Sequence, residues 1–164
     1  MKDMIKYSKG QTIVLAALRI AIGWIMLYQG IVKFYTPGWT SKGYLLSSDG
    51  IFSGLFEAMG NSGGLVSVLD FLNIYGQLAI GLGLILGLFV NIASIAGILM
   101  LAMYYLSHPP FPGLSGQVSD NVVNDLVILI IGLFVCLFFP SSHLIGLDRL
   151  WKRKAIHKTS TQQA

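Results

Sequence analysis

The run Ile13–Tyr35, IVLAALRIAIGWIMLYQGIVKFY, constrains this chain more than any other stretch. It is apolar along nearly its whole length, and about 20 such residues suffice to cross the roughly 30 Å hydrocarbon core of a bilayer. Yet it carries Arg19, Gln29 and Lys33. On a helix Arg19 and Lys33 point within about 40° of each other and stand about 21 Å apart along the axis. A charge at mid-bilayer costs about 2.5–3.5 kcal/mol on insertion scales. The stripe therefore has to face other helices, which the rest of the chain must supply.

Composition agrees with a membrane setting. Of 164 residues, 54% are apolar and 11% charged, where a soluble domain carries about 25% charged residues. The net charge of +4 is no nucleic-acid footprint, because the basic residues gather at the two termini beside apolar runs. The single cysteine, Cys136, rules out an internal disulfide. The first apolar run follows Lys2, Lys6 and Lys9 as a signal peptide would. It is too long for one, however, and ends in Lys33-Phe34-Tyr35 rather than in small residues, so it reads as a retained helix.

Residues 1–11 form a basic tail, 12–147 a four-span membrane domain and 148–164 a second basic tail. Thr36-Pro37-Gly38-Trp39 stops the first span. In the next loop, Ile51, Phe52, Leu55, Phe56 and Met59 recur at helical spacing, which predicts a short amphipathic helix on the outer surface or capping the bundle, ended by Asn61-Ser62-Gly63-Gly64. Span two runs from about Leu65 or Asn73 to Phe89, with Ala79, Gly83 and Gly87 on one stripe. Val90-Asn91 is a tight connection to span three, Ile92–Leu106. A loop of residues 107–119 leads to span four, about Asn121–Phe139. The fold class is all-α, a four-helix transmembrane bundle with a short interfacial amphipathic helix in the first outer loop. With four spans both termini share a side. That side, with Arg19, holds nine basic residues against two acids, while the opposite loops and helix ends hold two against five. The positive-inside bias makes both termini cytoplasmic.

Most polar groups of the spans then fall at one level near the outer surface: Gln29 and Lys33; Asp70, Asn73 and Gln77; Tyr104, Tyr105 and His108; Asn121, Asn124 and Asp125. Asp70 and Gln77 share a face on a regular helix, as do Asn121, Asn124 and Asp125. Ionisable groups inside a membrane are functional candidates by default, and pairing of Lys33 with Asp70 or Asp125 beside a small cavity is the functional reading. The structural one is that Lys33 snorkels to the interface and the two aspartates cap helix starts. Arg19, alone in the inner leaflet, reads as an anchor to helix-end carbonyls, lipid phosphate or Asp148, and Cys136 as an inert buried thiol. No nucleophile motif, P-loop or dinucleotide fingerprint is present. With no histidine pair inside a span and no cluster at zinc spacing, neither haem nor metal is expected.

Leu18-Arg19-Ile20-Ala21-Ile22-Gly23-Trp24, Gly30-Ile31-Val32-Lys33-Phe34, Trp39, Gly43-Tyr44-Leu45, Leu72–Gly76, Gly81–Gly87, Met103–Leu106 and Asn124-Asp125-Leu126 resemble the DoxX/DoxD family of small prokaryotic membrane proteins. The resemblance spans about Leu15 to Leu147 and implies a four-helix membrane bundle in the prokaryotic cell (inner) membrane. It also implies a link to thiosulfate:quinone oxidoreductase, which joins two thiosulfates into tetrathionate and passes two electrons to quinone. On that basis the chain is expected to be a quinone-interacting membrane subunit. Lys33, Asp125 and Asp70 are then candidate catalytic residues, and Gln29, Trp39, Tyr75, Gln77, Tyr104 and Asn124 candidate cofactor-binding residues. Its partners would be the lipid bilayer, a second oxidoreductase subunit and a second copy of itself, with no nucleic acid. The net negative outer face opposes arrival of a dianion such as thiosulfate. The alternatives are a non-catalytic scaffold for a partner oxidoreductase and, ranked last, a small-solute carrier, since no span is visibly broken at mid-depth.

Overall fold

The structure, a computed structural model, describes residues 7–109, 122–139 and 146–147. Helix α1, Lys9–Tyr35, opens on a capping box: Gln11 N–H donates to Ser8 Oγ and Ser8 N–H donates to Gln11 Oε1, satisfying amides that a helix start leaves without partners. It buries a stripe at helical spacing, Thr12, Ala16, Arg19, Ile22, Gly23, Met26 and Gly30, and breaks at Thr36 before Pro37. Helices α2, Lys42–Leu46, and α3, Ser53–Asn61, come next, in the first loop. The second span is composite: α4, Gly63–Phe71, a π-turn over Leu72–Gly76, and α5, Gln77–Leu86. Helices α6, Val90–Ser107, and α7, Asp125–Phe138, complete the described fold.

The four apolar columns pack as a ring in the order α1, α5, α6, α7, with α7 returning to α1. Ile22, Met26, Ile80, Leu84, Val90, Ala93, Leu101, Leu133 and Cys136 fill its centre. Small residues let the columns close. A Cβ on Gly81 would stand 2.5 Å from Leu27 N, and one on Gly97 2.9 Å from Leu133 Cδ1. Without a hydrophobic drive between helices in lipid, such close backbone approach is a main source of cohesion. The lipid-facing sides carry large apolar residues such as Trp24, Tyr28, Ile92, Leu99 and Phe138. Three helices, Lys9–Tyr35, Gly63–Leu86 and Val90–Ser107, are long and apolar enough to cross a membrane, and Asp125–Phe138 is a shorter apolar fourth. The described residues contain no strand. All-α architecture and a multi-pass membrane bundle thus hold as expected.

Several boundaries differ. The amphipathic helix ends at Asn61, within residues 61–64 as expected, but no loop follows: α3 passes into α4 at Ser62 alone, so span two starts at Gly63. The amphipathic helix lies at Ser53–Asn61 and packs Phe56 on Leu45 of α2 and Val66 of α4, a small second core that caps the bundle. Helix α2 has no signature in the sequence, because five residues show no periodicity to read. The tight connection is Gly87-Leu88-Phe89, not Val90-Asn91. Gly87 takes φ 66° and Phe89 φ 51°, and Leu88 N–H donates to Gly83 O at 2.8 Å, a closure that satisfies the last carbonyls of α5. Span four starts at Asp125, and Asn124 Oδ1 caps it by accepting from Val127 N at 3.2 Å. Asn121, Asp148, the loop 110–121 and most of both basic tails lie outside the described residues.

The packing of α1 on α5 yields a first test. Gly81→Val forces a side chain into the Leu27 backbone and should cost about 1–3 kcal/mol as overpacking. Gly54→Ala, with open space around it, should leave stability unchanged or slightly raised. Thermal unfolding of the purified protein in detergent reads both; equal midpoints for Gly81→Val and the native chain would refute a sealed α1–α5 seam.

Candidate functional site

Where α1 ends, α4 gives way to α5, α6 ends and α7 begins, the bundle is hollow. The cavity is about 720 Å³. Its polar rim comes from Gln29 and Lys33 of α1, Trp39, Thr40, Ser41 and Tyr44 of the capping segment, Asn73 and Gln77 of span two, Tyr104 of α6 and Asp125 of α7. Its floor is apolar: Ile25, Met26, Leu101, Leu126, Ile128 and Leu129.

Lys33 is the hub. Its Nζ donates to Tyr104 Oη at 2.9 Å and to Asn73 Oδ1 at 3.3 Å. The Tyr104 hydroxyl also donates to Asn73 Oδ1 and accepts from Gln77 Nε2 at 3.5 Å. The ammonium stands 4.9 Å from the Trp39 ring centroid, where an aromatic face supplies partial negative charge, and meets Tyr104 through its hydroxyl. Gln77 is 3% exposed, and its Oε1 has no hydrogen-bond partner among the described residues. This network therefore leaves one ammonium N–H of Lys33 and the buried carboxamide oxygen of Gln77 without a hydrogen-bond partner among the described residues.

The expected pairing of Lys33 with an aspartate is corrected: the partners are Asn73 and Tyr104, and no ion pair joins Lys33 to Asp70 or Asp125. Asp70 is committed elsewhere. Its Oδ1 accepts from Ser41 N–H at 2.7 Å and Ser41 Oγ at 2.6 Å, so it caps α2 from outside and does not line the cavity. The reason is the π-turn between Asp70 and Gln77. The wider turn takes in one extra residue and rotates the helix beyond it by about 100° relative to a continuous α-helix. The two side chains that a regular helix would align are thereby separated, Gln77 into the cavity and Asp70 toward Ser41.

Of the other candidates, Gln29, Trp39, Tyr104 and Asp125 line the cavity, Gln29 and Asp125 as exposed residues at its edge. Tyr75 does not; its ring packs on Phe34 and Phe71 at the outside of the bundle. Asn124 serves as the N-cap of α7. Asn73, placed in the polar layer by sequence but not chosen as a site residue, proves central, and Ser41, Thr40 and Tyr44 arrive from a loop whose path the sequence did not reveal.

Above the rim a second polar group ties the cap to α6. Tyr44 Oη donates to Tyr104 O at 3.1 Å, Ser48 Oγ donates to Ser107 O at 2.6 Å, and the Tyr44 and His108 rings lie 4.4 Å apart. Burial pushes the Tyr44 phenol above its ordinary value of 10.0, the neighbouring Ser107 side chain works against that rise, and the Asp49 carboxylate adds to it. Arg19 is placed at the opposite end of the bundle, 2% exposed. A Cβ on Gly87 would stand 3.0 Å from its Nη1, so the guanidinium is packed within the protein rather than reaching toward lipid.

An all-helical membrane bundle with an amphipathic cavity at one end is the class these features define. The DoxX family model matches residues 14–109, more than half of the chain, and the chain belongs to the DoxX family. The matched stretch runs from α1 to the end of α6 and includes Lys33, Asn73, Gln77 and Tyr104. No curated protein matches the chain, and no solved structure does.

Two measurements check the site. Tyr104→Phe removes a hydroxyl that serves three partners and should destabilise the protein by about 1–2 kcal/mol, read by thermal unfolding; an unchanged midpoint would show the network is not formed. For Tyr44, a phenol pKa raised by folding contributes stability that is complete below pH 10 and is lost as pH climbs through the folded value. Difference absorbance titration against Tyr44→Phe should show Tyr44 ionising later than free tyrosine; ionisation at the ordinary pH would contradict its placement.

Proposed function

We propose that this chain is the quinone-interacting membrane subunit of an oxidoreductase, with the Lys33 cavity as the quinone-head site and thiosulfate as the electron donor. The observation that carries the proposal is a buried carboxamide oxygen without a partner, Gln77 Oε1, on a residue that lines the same cavity as Lys33. A site with one free donor and one free acceptor suits a group that changes between carbonyl and hydroxyl. The Lys33 ammonium donates to a carbonyl oxygen, and Gln77 Oε1 accepts from a hydroxyl. The apolar floor and aromatic rim suit a flat ring, and a volume near 720 Å³ lies within the range of small-molecule sites.

When bound, a quinone takes up two electrons and two protons; two thiosulfates joined as tetrathionate supply the electrons. Lys33 fixes the head and stabilises negative charge that builds on its oxygen. Asn73 and Tyr104 hold the ammonium in place. Asp125, exposed at the cavity edge, is positioned to pass protons between water and the site. Asp70 acts indirectly, by holding Ser41 and hence the Trp39–Tyr44 wall. The carboxylates at this end disfavour arrival of a dianion, which favours a partner subunit for donor binding. The basic tails support termini on the cytoplasmic side of a prokaryotic membrane, with the cavity toward the outside.

Trp39 lies close enough to the site to report occupancy by fluorescence quenching. Titration of the protein in nanodiscs with a short-chain benzoquinone should give saturable quenching. Lys33→Met should weaken binding about tenfold or more, the loss of one charge-assisted hydrogen bond, and abolish thiosulfate-dependent reduction. Gln77→Leu should weaken hydroquinone binding more than quinone binding. Quenching that is equal in the native chain and both variants would refute the assignment; saturable binding without turnover by the purified chain would assign the donor half to a partner.

A further inference from the structure

The cavity is not closed on all sides. Helices α1 and α7 touch at Gly132, where an added Cβ would stand 2.6 Å from Ile22 Cδ1. Seven residues from each contact point toward the Lys33 end, about 10 Å along the axes, stand Gln29 and Asp125. Both line the cavity and both are exposed. Between contact and rim, Ile25 and Ile128 also line the cavity and remain 42% and 58% exposed. A side chain that meets both an interior cavity and the outer surface marks an opening between them. The α1–α5 seam differs: Gly23, Gly30 and Gly81 bring it to contact so close that no Cβ fits without displacement. Ile25 lies eight residues below Lys33, about 12 Å deeper along α1, so the gap opens onto the hydrocarbon layer rather than onto water.

We infer that the cleft between α1 and α7 is a lateral portal in which the linear hydrocarbon tail of the cavity's ligand lies, so that the ligand is a long-chain, isoprenoid-type membrane lipid rather than a water-borne ring. The inference rests on the quinone reading of the cavity. The tail gains no hydrophobic energy on leaving lipid for the cleft. What the cleft provides is a path that keeps the tail in an apolar setting while the head reaches Lys33. Leu126 and Leu129 give that path an apolar back wall, and Gln29 and Asp125 are the first polar groups met at its upper edge.

Photo-labelling of the full chain in nanodiscs tests this with two benzoquinone probes. One carries a diazirine on a short ring substituent and the other a diazirine midway along an isoprenoid tail. The head probe should label peptides containing Lys33 and Tyr104, and the tail probe residues near Ile25 and Ile128, each competed by unlabelled long-chain quinone. Ile128→Trp, or Ile25→Trp on the facing wall should the first variant lose its helicity, fills the portal. Tail labelling should then drop to the background that unlabelled quinone does not compete, a larger fractional loss than head labelling by the short probe shows. Competed head labelling with tail labels on the cap residues, or tail labelling that both tryptophan variants leave intact, would overturn the portal and spare the quinone reading. Head labelling that no quinone competes would overturn that reading and the portal with it. A phospholipid retained in the cleft through competition, detected by native mass spectrometry, would also overturn the portal.

Discussion

A lysine ammonium held inside a membrane bundle by neutral groups is the constraint on which the rest of the structure depends. Lys33 has no carboxylate partner in the network; it has Asn73 Oδ1, the Tyr104 hydroxyl and the Trp39 ring. These come from different columns of the fold: span two at its π-turn, α6, and the segment after α1. An ion pair would have neutralised the charge and left little for a ligand to meet. A neutral cradle stabilises the half-buried cation and leaves its field directed into the cavity.

The two ends of the bundle are built differently. Around Leu84, Val90 and Leu133 the helices are in contact throughout and the interior is filled. Arg19 is buried there against Gly87. At the other end the same helices part, and the space between them is lined by amides, hydroxyls and rings. Glycines decide which seams close. Gly81 and Gly23 bring α1 onto α5 along their length, whereas α7 meets α1 at Gly132 and Ile25 and Ile128 above that contact stay exposed. The capping layer of α2 and α3 rests on α4 through Phe56, Leu45 and Val66 and is tied down by Asp70 at Ser41. That tie sets the position of Trp39 and Tyr44 over the cavity.

The membrane class, the four apolar columns and the end of the bundle at which polar residues collect were legible because they depend on hydropathy and spacing along single helices. Lys33, Gln77 and Tyr104 could be found that way. The partner of Lys33 could not, because it depends on a π-turn with no composition signal of its own. That one extra residue turns Asp70 away from Gln77, which leaves Asn73 rather than Asp70 at the ammonium. Tyr75 failed as a site residue for a related reason: an aromatic at the right depth on the wrong face packs with Phe34 and Phe71 outside the bundle. Ser41 and Thr40 were invisible because a short loop helix has too few residues to show a period. Asn124 looked like a ligand and is a cap, a role that Asn fills equally well on sequence grounds.

The most direct measurement is the 15N spectrum of the lysine ammonium groups in the full chain in nanodiscs. Lys33 should give a signal with slow proton exchange, set apart from those of the exposed lysines and absent from Lys33→Met. Tyr104→Phe and Asn73→Ala should each move it, while Asp125→Asn should leave it almost in place. A Lys33 signal indistinguishable from solvent-exposed lysine, or one that responds to Asp125 and not to Tyr104 or Asn73, would contradict the neutral cradle.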